Sequence, residues 1–255
     1  LILVDGQPVM GDLAKYQGAG DELQRLGTEN VERIEIIQGA ASAKYGSDAI
    51  GGVINVITNK PRKTAGLQFN GEGRRTKGDG DIVPFSNFFM RADSGSLGKL
   101  KVNIHGSKRD IMPIYASEQR RISAMTNDGF LKNSLRYYGT NSNIGLAATY
   151  DINDKQSLGV RIDRYNEDLE RYVKRSTSYL EPQVHYKRDL DRNNLNLTYT
   201  GQDNKSSWKA ELNYTRTKED DVTLTSDYGN STYEGKNTLN YVDNVDHRQW
   251  SITLG

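Results

Sequence analysis

The chain lacks several features that define common protein classes. None of its 255 residues is cysteine, which excludes a disulfide framework and a thiolate metal site. It has no run of about 20 apolar residues, which excludes a helical membrane protein. Neither sign of charge prevails, since 34 Lys and Arg stand against 33 Asp and Glu, so the basic excess of nucleic-acid binders is missing. Only 35% of the residues are hydrophobic, and a large interior is therefore expected only if burial is confined to one face of many strands.

The chain divides into two parts with different patterns. Residues 1 to about 58 are rich in small and aliphatic residues, whereas residues from about 66 onward alternate between apolar and polar. The basic stretch Asn59–Lys63 separates the parts and contains Pro61, which stops the preceding strand. We therefore predict a first domain over 1–62 and a second over 63–255. Because the chain opens on Leu1 and closes in a strand pattern, we expect it to be an internal piece of a longer protein.

The first part is predicted to be a small α+β unit. Strands are expected over Leu1–Val4, Arg33–Gln38 and Gly51–Thr58. A turn is expected over Asp5-Gly6. Thr28 or Asn30 is expected to cap a short helical turn with Glu32 following, and the alanine-rich stretch Gly39–Lys44 predicts one or two further helical turns.

The second part predicts eight strands with period-two alternation. They lie near residues 66–76, 85–94, 99–107, 138–151, 157–166, 191–201, 207–217 and 246–255. The connections after the second, fourth and sixth strands are short, whereas those after the third, fifth and seventh run to roughly 25–30 residues. Short turns at one end and long loops at the other are typical of a transmembrane antiparallel β-barrel. The fold class predicted is therefore mainly β, a partial barrel with a small α+β domain.

In such a barrel the apolar row of each strand faces lipid and the polar row faces the lumen. Two aromatic girdles are expected, one beside the short turns (Tyr150, Tyr199, Trp208) and one toward the long loops (Tyr137, Tyr138, Tyr165, Tyr214). The alternative is a β-sandwich, whose apolar rows face a protein core and whose aromatic residues are simply favourable in strands.

A long motif occupies the end of the first part. Residues 31–58 run VERIEIIQGAASAKYGSDAIGGVINVIT. This stretch resembles the second half of the plug domain of TonB-dependent outer-membrane receptors, and Leu3-Val4-Asp5-Gly6 resembles an earlier strand of the same domain. The resemblance implies a barrel of roughly 22 strands with a plug in its lumen, of which this chain would supply part of the plug and about eight strands. It also implies the cell outer membrane of a Gram-negative bacterium, with the TonB box (the peptide that binds TonB) upstream of Leu1.

Within the motif, paired glycines allow close backbone approach, and charges need polar partners, which the inward rows of the barrel strands would supply. The motif residues singled out are Glu32, Arg33, Glu35, Gly39, Tyr45, Gly46, Gly51, Gly52 and Asn55. Gln38-Gly39-Ala40 stands where many members carry Arg-Gly-Pro, which removes one possible ion pair between plug and barrel. The turn is closer to the branch for siderophores, haem and cobalamin than to the glycan-importing branch.

The predicted long loops contain the candidates for ligand contact. Guanidinium and phenol groups can hold an anionic iron chelate by charge-assisted hydrogen bonds and ring stacking. The candidates are Arg109, Tyr115, Arg120, Arg121, Arg164, Arg171, Tyr172, Lys174, Arg175 and Tyr179. The last long loop is instead acidic, with Glu219, Asp220, Asp221, Asp227 and Glu234.

No catalytic constellation or metal-ligand spacing is present in the sequence. His105, His185 and His247 are far apart, and His105 is predicted to point into the lumen. We expect a receptor without enzymatic activity or cofactor that imports a ferric siderophore or haem. Its expected partners are TonB, that ligand and outer-membrane lipid, with no nucleic acid. A cobalamin receptor of the same family and, more remotely, a non-transporting adhesive β protein are the alternatives.

Overall fold

The computed structural model of the chain describes residues 1–8, 29–39, 51–75, 82–112, 137–174, 183–227 and 236–254. These residues form twelve strands in two sheets, one of four strands and one of eight. The described residues include no helix that is long and apolar enough to cross a membrane. The chain up to Thr58 builds the small sheet, and the large sheet begins at Ala65.

The small sheet has the strand order β2-β1-β4-β3. Its strands are β1 (Ile2–Val4), β2 (Gln7–Pro8), β3 (Val31–Ile37) and β4 (Val53–Thr58). The pairing of β1 with β4 is parallel, and the other two pairings are antiparallel. Since β1 and β4 are central, their apolar side chains are covered, and Val53 packs against the fully buried Leu3. The three strands predicted for this part are confirmed, with small shifts at their ends.

Two backbone predictions for the small sheet concern glycine. The turn predicted at Asp5-Gly6 joins β1 to β2, and its φ values of 50° and 86° are the positive pair that a two-residue hairpin turn requires. Gly52 has a φ of 112°, and a Cβ there would lie 2.6 Å from the carbonyl oxygen of Ile37. The close approach predicted for the glycine pair is thus made by Gly52, whereas Gly51 faces open space.

Other predictions for the small sheet are wrong. Glu32 lies inside β3, so it follows no helical turn capped by Asn30, and Thr28, the other predicted cap, lies outside the described residues. Pairing of β3 with β4 satisfies this backbone in a ladder, which overrides the local capping preference. Arg33 pairs at 2.8 Å with both Glu32 and Glu35 of its own strand, rather than with the large sheet. The helical turns predicted over Gly39–Lys44 fall, from residue 40 onward, outside the described residues.

The large sheet is an antiparallel meander in which every strand pairs with its neighbours along the chain. Its strands are β5 (Ala65–Arg75), β6 (Ile82–Leu97), β7 (Leu100–Ile111), β8 (Tyr138–Asn153), β9 (Gln156–Lys174), β10 (Gln183–Gln202), β11 (Ser207–Asp227) and β12 (Lys236–Leu254). All eight predicted strands are confirmed. The connections 98–99, 154–155 and 203–206 are the predicted short turns.

Four strands are much longer than predicted, at the ends away from the short turns. β9 continues to residue 174 rather than 166, β10 begins at 183 rather than 191, β11 continues to 227 rather than 217, and β12 begins at 236 rather than 246. Two connections expected to be long therefore shrink to 175–182 and 228–235. In the parts near the short turns the apolar row faces outward, whereas in the extensions of β9 and β10 apolar residues such as Leu169, Val184 and Leu190 are buried on the inner face. The phase of the alternation is therefore reversed there, and the lipid-facing pattern does not mark these extensions.

Residues assigned to loops consequently lie on strands. This applies to Arg109, Arg164, Arg171, Tyr172 and Lys174 among the basic and phenolic candidates, and to Glu219, Asp220, Asp221 and Asp227 among the acidic ones. Glu234 lies outside the described residues.

The two faces of the large sheet differ in chemistry. The inner face contacts the small sheet and buries polar residues, among them Asn103, His105 and Asp163. The outer face is apolar in three consecutive inter-strand rows of β9–β12, namely Ile162–Leu195–Tyr214–Trp250, Val160–Leu197–Leu212–Ile252 and Leu158–Tyr199–Ala210–Leu254. This is the arrangement predicted for lipid-facing and lumen-facing rows.

Tyr165 and Tyr137 depart from the predicted girdle. Tyr165 is buried on the inner face, where its hydroxyl donates to Glu167 at 2.6 Å. Tyr165 is three residues after Ile162 on the same strand. Because successive side chains point to opposite faces, it cannot share the outer face with Ile162. Tyr137 contacts the buried inner-face Arg188. Tyr214 does lie on the outer face, with its ring centroid 4.4 Å from that of Trp250.

Candidate functional site between the two sheets

Arg161 of β9 connects the large sheet to the small one. Its Nη1 donates to Asp5 Oδ2 at 3.1 Å and to the hydroxyl of Thr58. Asp5 also accepts from the backbone N–H of Thr58 at 2.9 Å and from the Thr58 hydroxyl at 2.6 Å. One guanidinium therefore holds the β1–β2 turn and the end of β4 together.

His105 lies beside this group on the inner face. Its Nε2 is 3.3 Å from Asp163 Oδ1 and 3.2 Å from Asn30 Nδ2 of the small sheet. Gly145 pairs with His105 on one side and with Asp163 on the other, and a Cβ at Gly145 would collide with both side chains. The predicted inward orientation of His105 is confirmed, and the glycine leaves the space in which the two groups meet.

Arg91 of β6 fixes the segment that joins the two sheets. Only 1% of its surface is exposed, and it forms two hydrogen bonds to Asp93 at 2.7 and 2.8 Å. Its Nη2 also donates to the carbonyl oxygen of Lys60 at 2.7 Å, and Asp93 accepts from the backbone N–H of Arg62 at 3.1 Å. A buried ion pair thus holds residues 60–62 against the sheet.

A cavity of ≈ 170 Å³ separates the two sheets. Its lining includes acidic groups on the side of the small sheet, Asp5 and Glu29. The side of the large sheet contributes the basic groups Arg109, Arg161 and Arg192. Arg109 Nη2 donates to both carboxylate oxygens of Glu29 at 2.9 Å. Apolar side chains such as Val4, Val56 and Phe89 also line the cavity. The direct side-chain contacts described between the sheets are nevertheless hydrogen bonds and ion pairs.

A second basic group, farther along the inner face, surrounds Tyr137. The guanidinium carbon of Arg188 lies 4.5 Å from the ring centroid of Tyr137, and that of Arg171 lies 5.9 Å from it. Arg188 also donates to Asp221 at 3.1 Å. The buried Nε of Arg171 has no hydrogen-bond partner among the described residues. Burial raises the pKa of the Tyr137 phenol above its ordinary value, which favours the neutral hydroxyl.

The structure brings only some of the predicted ligand-binding residues into one site. Arg171 joins the group around Tyr137, whereas Arg109 is bound to Glu29. Tyr172 lies on β9. The other candidates, Tyr115, Arg120, Arg121, Arg175 and Tyr179, lie outside the described residues, as do the motif residues Tyr45 and Gly46.

Sequence reasoning did not single out Arg91, Arg161, Arg188 or Arg192. A usable signal existed for Arg161, since it alternates with the apolar outer-face residues of β9 and a charge in an inward row requires a partner. Arg188 stands in the inward row of β10 between the buried Val184 and Leu190, where the alternation is opposite in phase to the lipid-facing one.

Comparison with known proteins agrees with this architecture. Residues 1–53 match the family model of the TonB-dependent Receptor Plug Domain. The ferric enterobactin receptor of Pseudomonas aeruginosa is 35% identical over 112 residues, which are 42% of this chain and 13% of that protein. The ferrienterobactin receptor of Escherichia coli K12 is 44% identical over 66 residues, which are 24% of this chain and 9% of that protein.

The fold is shared with a solved structure. The siderophore receptor PirA from Acinetobacter baumannii superposes with a TM-score of 0.62 at 20% identity, over 100% of this chain and 36% of that one. This chain thus spans a minor part of the proteins it matches. Residues 1–53 therefore belong to the plug-domain family of TonB-dependent receptors, and the large sheet has the fold of the transmembrane barrel wall in receptors of that kind.

Proposed function

We propose that the receptor containing this chain binds a ferric siderophore at the cell surface and imports it when TonB moves the plug. Two relatives of the chain are named as receptors for ferric enterobactin or ferrienterobactin, and these names support the ligand class. Import belongs to the whole receptor, with TonB engaging a segment upstream of Leu1. The chain's own groups bind and position the ligand, and no bond chemistry is assigned to them.

The observation that carries the proposal is the position of the Arg171 Nε. This buried atom lacks a partner among the described residues and lies beside the Tyr137 ring, on the luminal face. An unpaired buried donor is costly, and an anionic chelate would satisfy it with a charge-assisted hydrogen bond. The Tyr137 ring and the adjacent Arg188 add aromatic contact and positive charge for the same ligand.

The polar interface between plug and barrel suits a plug that moves. Hydrogen bonds such as Arg161 to Asp5 and Arg109 to Glu29 can be replaced by water when the surfaces separate, whereas a packed apolar interface would expose hydrocarbon. We propose that the plug part ends at residue 62 and the barrel part starts at 63. The segment that Arg91 and Asp93 hold would then be a fixed joint behind the moving part.

Binding to the purified full-length receptor tests the ligand and the site together. Ferric enterobactin, haem and cobalamin are titrated separately and followed by quenching of intrinsic fluorescence. We expect ferric enterobactin to bind, and Arg171→Gln to weaken it about tenfold, the loss of one hydrogen bond to a charged group. Lys187→Gln, which removes an exposed charge from the outer face of β10, is the matched control.

Either of two results contradicts the proposal. Tight binding of haem or cobalamin without binding of the ferric siderophore would reject the ligand class. Equal affinities of the Arg171→Gln and Lys187→Gln receptors for ferric enterobactin would reject Arg171 as a contact while leaving the ligand class intact.

A further inference from the structure

His105 of β7 lies where the barrel wall meets the plug. Only 5% of its surface is exposed. Its Nε2 faces two groups, Asn30 Nδ2 of the plug at 3.2 Å and Asp163 Oδ1 of the wall at 3.3 Å. Its Nδ1 is 3.2 Å from Asn103 Oδ1. Both ring nitrogens are therefore engaged, and Nε2 stands between a plug partner and a wall partner.

Two neighbouring hydrogen bonds fix which end of each amide faces the ring. Arg91 Nη1 donates to Asn30 Oδ1 at 3.3 Å, and since a guanidinium can only donate, the Nδ2 end of Asn30 faces His105. Asn103 Nδ2 donates to a carboxylate oxygen of Asp93 at 3.3 Å, so Asn103 presents its Oδ1 to the ring. The plug amide thus offers a donor to Nε2, and the wall amide offers an acceptor to Nδ1.

These orientations assign the proton of the neutral ring. Nδ1 must carry it in order to donate to Asn103, and Nε2 must be free of hydrogen in order to accept from Asn30. A second proton binds at Nε2, and the new N–H would then face the N–H donors of the Asn30 amide. Asp163 Oδ1, in contrast, is an acceptor of opposite charge. Protonation therefore breaks the hydrogen bond to the plug and forms one to the wall.

Charged groups from every element around His105 bear on this exchange. They are Arg91 and Asp93 of β6, Arg109 of β7, Arg161 and Asp163 of β9, and Asp5, Glu29 and Arg62 on the plug side. Each of these cations lies within 4.0 Å of a carboxylate in this set, and Asp163 is the carboxylate that contacts the ring. β8 contributes Gly145, which leaves room for the ring and Asp163 to approach. An imidazolium would therefore have its counterion in contact.

Asn30 joins His105 to the part of the plug beside the linker. It directly precedes β3, and its carbonyl oxygen accepts from the backbone N–H of Asn59 at 3.0 Å. We propose that His105 is a proton-controlled contact between plug and wall. The neutral ring holds Asn30, whereas the protonated ring binds Asp163 and releases Asn30, so acid loosens the plug near residues 30 and 59. Imidazole suits this task because its charge changes in the physiological pH range.

The proton positions on the ring are measured in the full-length receptor in lipid vesicles. Solid-state NMR with isotope-labelled histidine separates the two neutral tautomers from the imidazolium, and the signal lost in His105→Gln identifies His105. We expect the Nδ1–H tautomer at about pH 8 and the imidazolium at about pH 5. An Nε2–H tautomer at the higher pH, or a ring that is still neutral at the lower pH, would overturn the proposal.

Hydrogen exchange of the same receptor measures the attachment of the plug. Relative to the intrinsic rate at each pH, the Asn59 amide proton should exchange about three- to tenfold faster at about pH 5 than at about pH 8, the effect of losing one hydrogen bond. His105→Gln should abolish this pH dependence, because the Gln side chain does not titrate. Asn30→Ala should exchange fast at both pH values. His247→Gln removes an exposed histidine of β12 and is the matched control that keeps the response.

Two exchange results would also contradict the proposal. They are an equal acid response in the parent and in His105→Gln, and loss of the response in His247→Gln. The gel mobility of unheated samples in SDS shows that each variant is folded, and Asn30→Ala tests the same contact from the plug side if His105→Gln does not fold. Because no ligand or TonB is added, the outcome is independent of the siderophore proposal.

Discussion

Arg161 on the fourth-last strand and Asp5 in the first turn of the chain are 156 residues apart in sequence and 3.1 Å apart in space. This contact joins barrel wall to plug through one hydrogen bond between opposite charges. It also brings Thr58, the last residue of β4, to the same guanidinium. Arg161 thus attaches the β1–β2 turn and the end of β4 to β9, while Arg109 and His105 of β7 contact Glu29 and Asn30.

Replacing Arg161 with Leu should loosen the plug locally. Asp5 and Asp163 would lose their shared cation while staying partly covered, which costs about 1–3 kcal/mol. The backbone N–H of Thr58, which donates to Asp5, should then exchange with solvent faster in the full-length receptor. Arg33→Leu, at an exposed site of the plug, is the control. Unchanged exchange at Thr58 in the Arg161 variant would show that the contact does not hold the plug.

Arg91 and Asp93 form a buried pair whose two members depend on each other. Arg91→Met should lower the free energy of unfolding by roughly 3–5 kcal/mol, because it leaves the buried Asp93 carboxylate with only the half-exposed Arg62, whose Nε lies 3.9 Å away. The double variant Arg91→Met/Asp93→Leu should recover much of that loss, since no lone charge stays buried. Urea unfolding of the receptor in lipid vesicles measures both. If the double variant were less stable than the single one, charge burial would not be the cause.

The two glycines before β4 offer a matched comparison. Gly52→Ala should destabilise the plug by about 1–3 kcal/mol, since φ is 112° and the new Cβ would press on the Ile37 carbonyl oxygen. Gly51→Ala should have a far smaller effect, because a Cβ at Gly51 meets nothing within 4 Å. Hydrogen exchange of β3 and β4 in the full-length receptor gives the difference. Similar exchange in both variants would contradict the predicted strain at Gly52.

The short turn 203–206 should respond to acid. The backbone N–H groups of Lys205 and Ser206, each 2.8 Å from Asp203 Oδ1, and the Ser206 hydroxyl hold the pKa of Asp203 below its ordinary value. A lowered pKa in the folded state means that the carboxylate stabilises the turn above the pKa of the unfolded chain. That contribution is lost as the pH falls through the folded value.

Asp203→Ala should therefore be less stable than the parent at neutral pH, with the gap closing in strong acid. Asp203→Asn keeps an acceptor and should show a smaller and less pH-dependent change. Urea unfolding at a series of pH values separates the three proteins. A gap between parent and Asp203→Ala that stayed constant with pH would rule out the carboxylate as its source.

Local patterns predicted the barrel strands where one face is apolar. Leu158, Val160 and Ile162 lie on the outer face of β9, as their alternation requires, and His105 points inward for the same reason. The same alternation places Tyr165 on the inner face. Its position relative to Ile162 in the sequence already excluded it from the aromatic girdle. Among the site residues, only Arg171 was both predicted and found beside other ligand candidates.

The sequence by itself determined the plug motif, the eight strands of the large sheet, the short turns and the face of each alternating residue, but not the short strand β2. These features depend on neighbours in the chain, through backbone geometry and a period of two. Only the tertiary structure decided where the extended strands end, which acid each luminal arginine meets, and that His105 faces Asn30 of the plug. In the extensions of β9 and β10 the apolar residues face inward, so the lipid-facing pattern does not mark them. Cross-strand partners follow from register, which is set by the whole ladder rather than by any one segment.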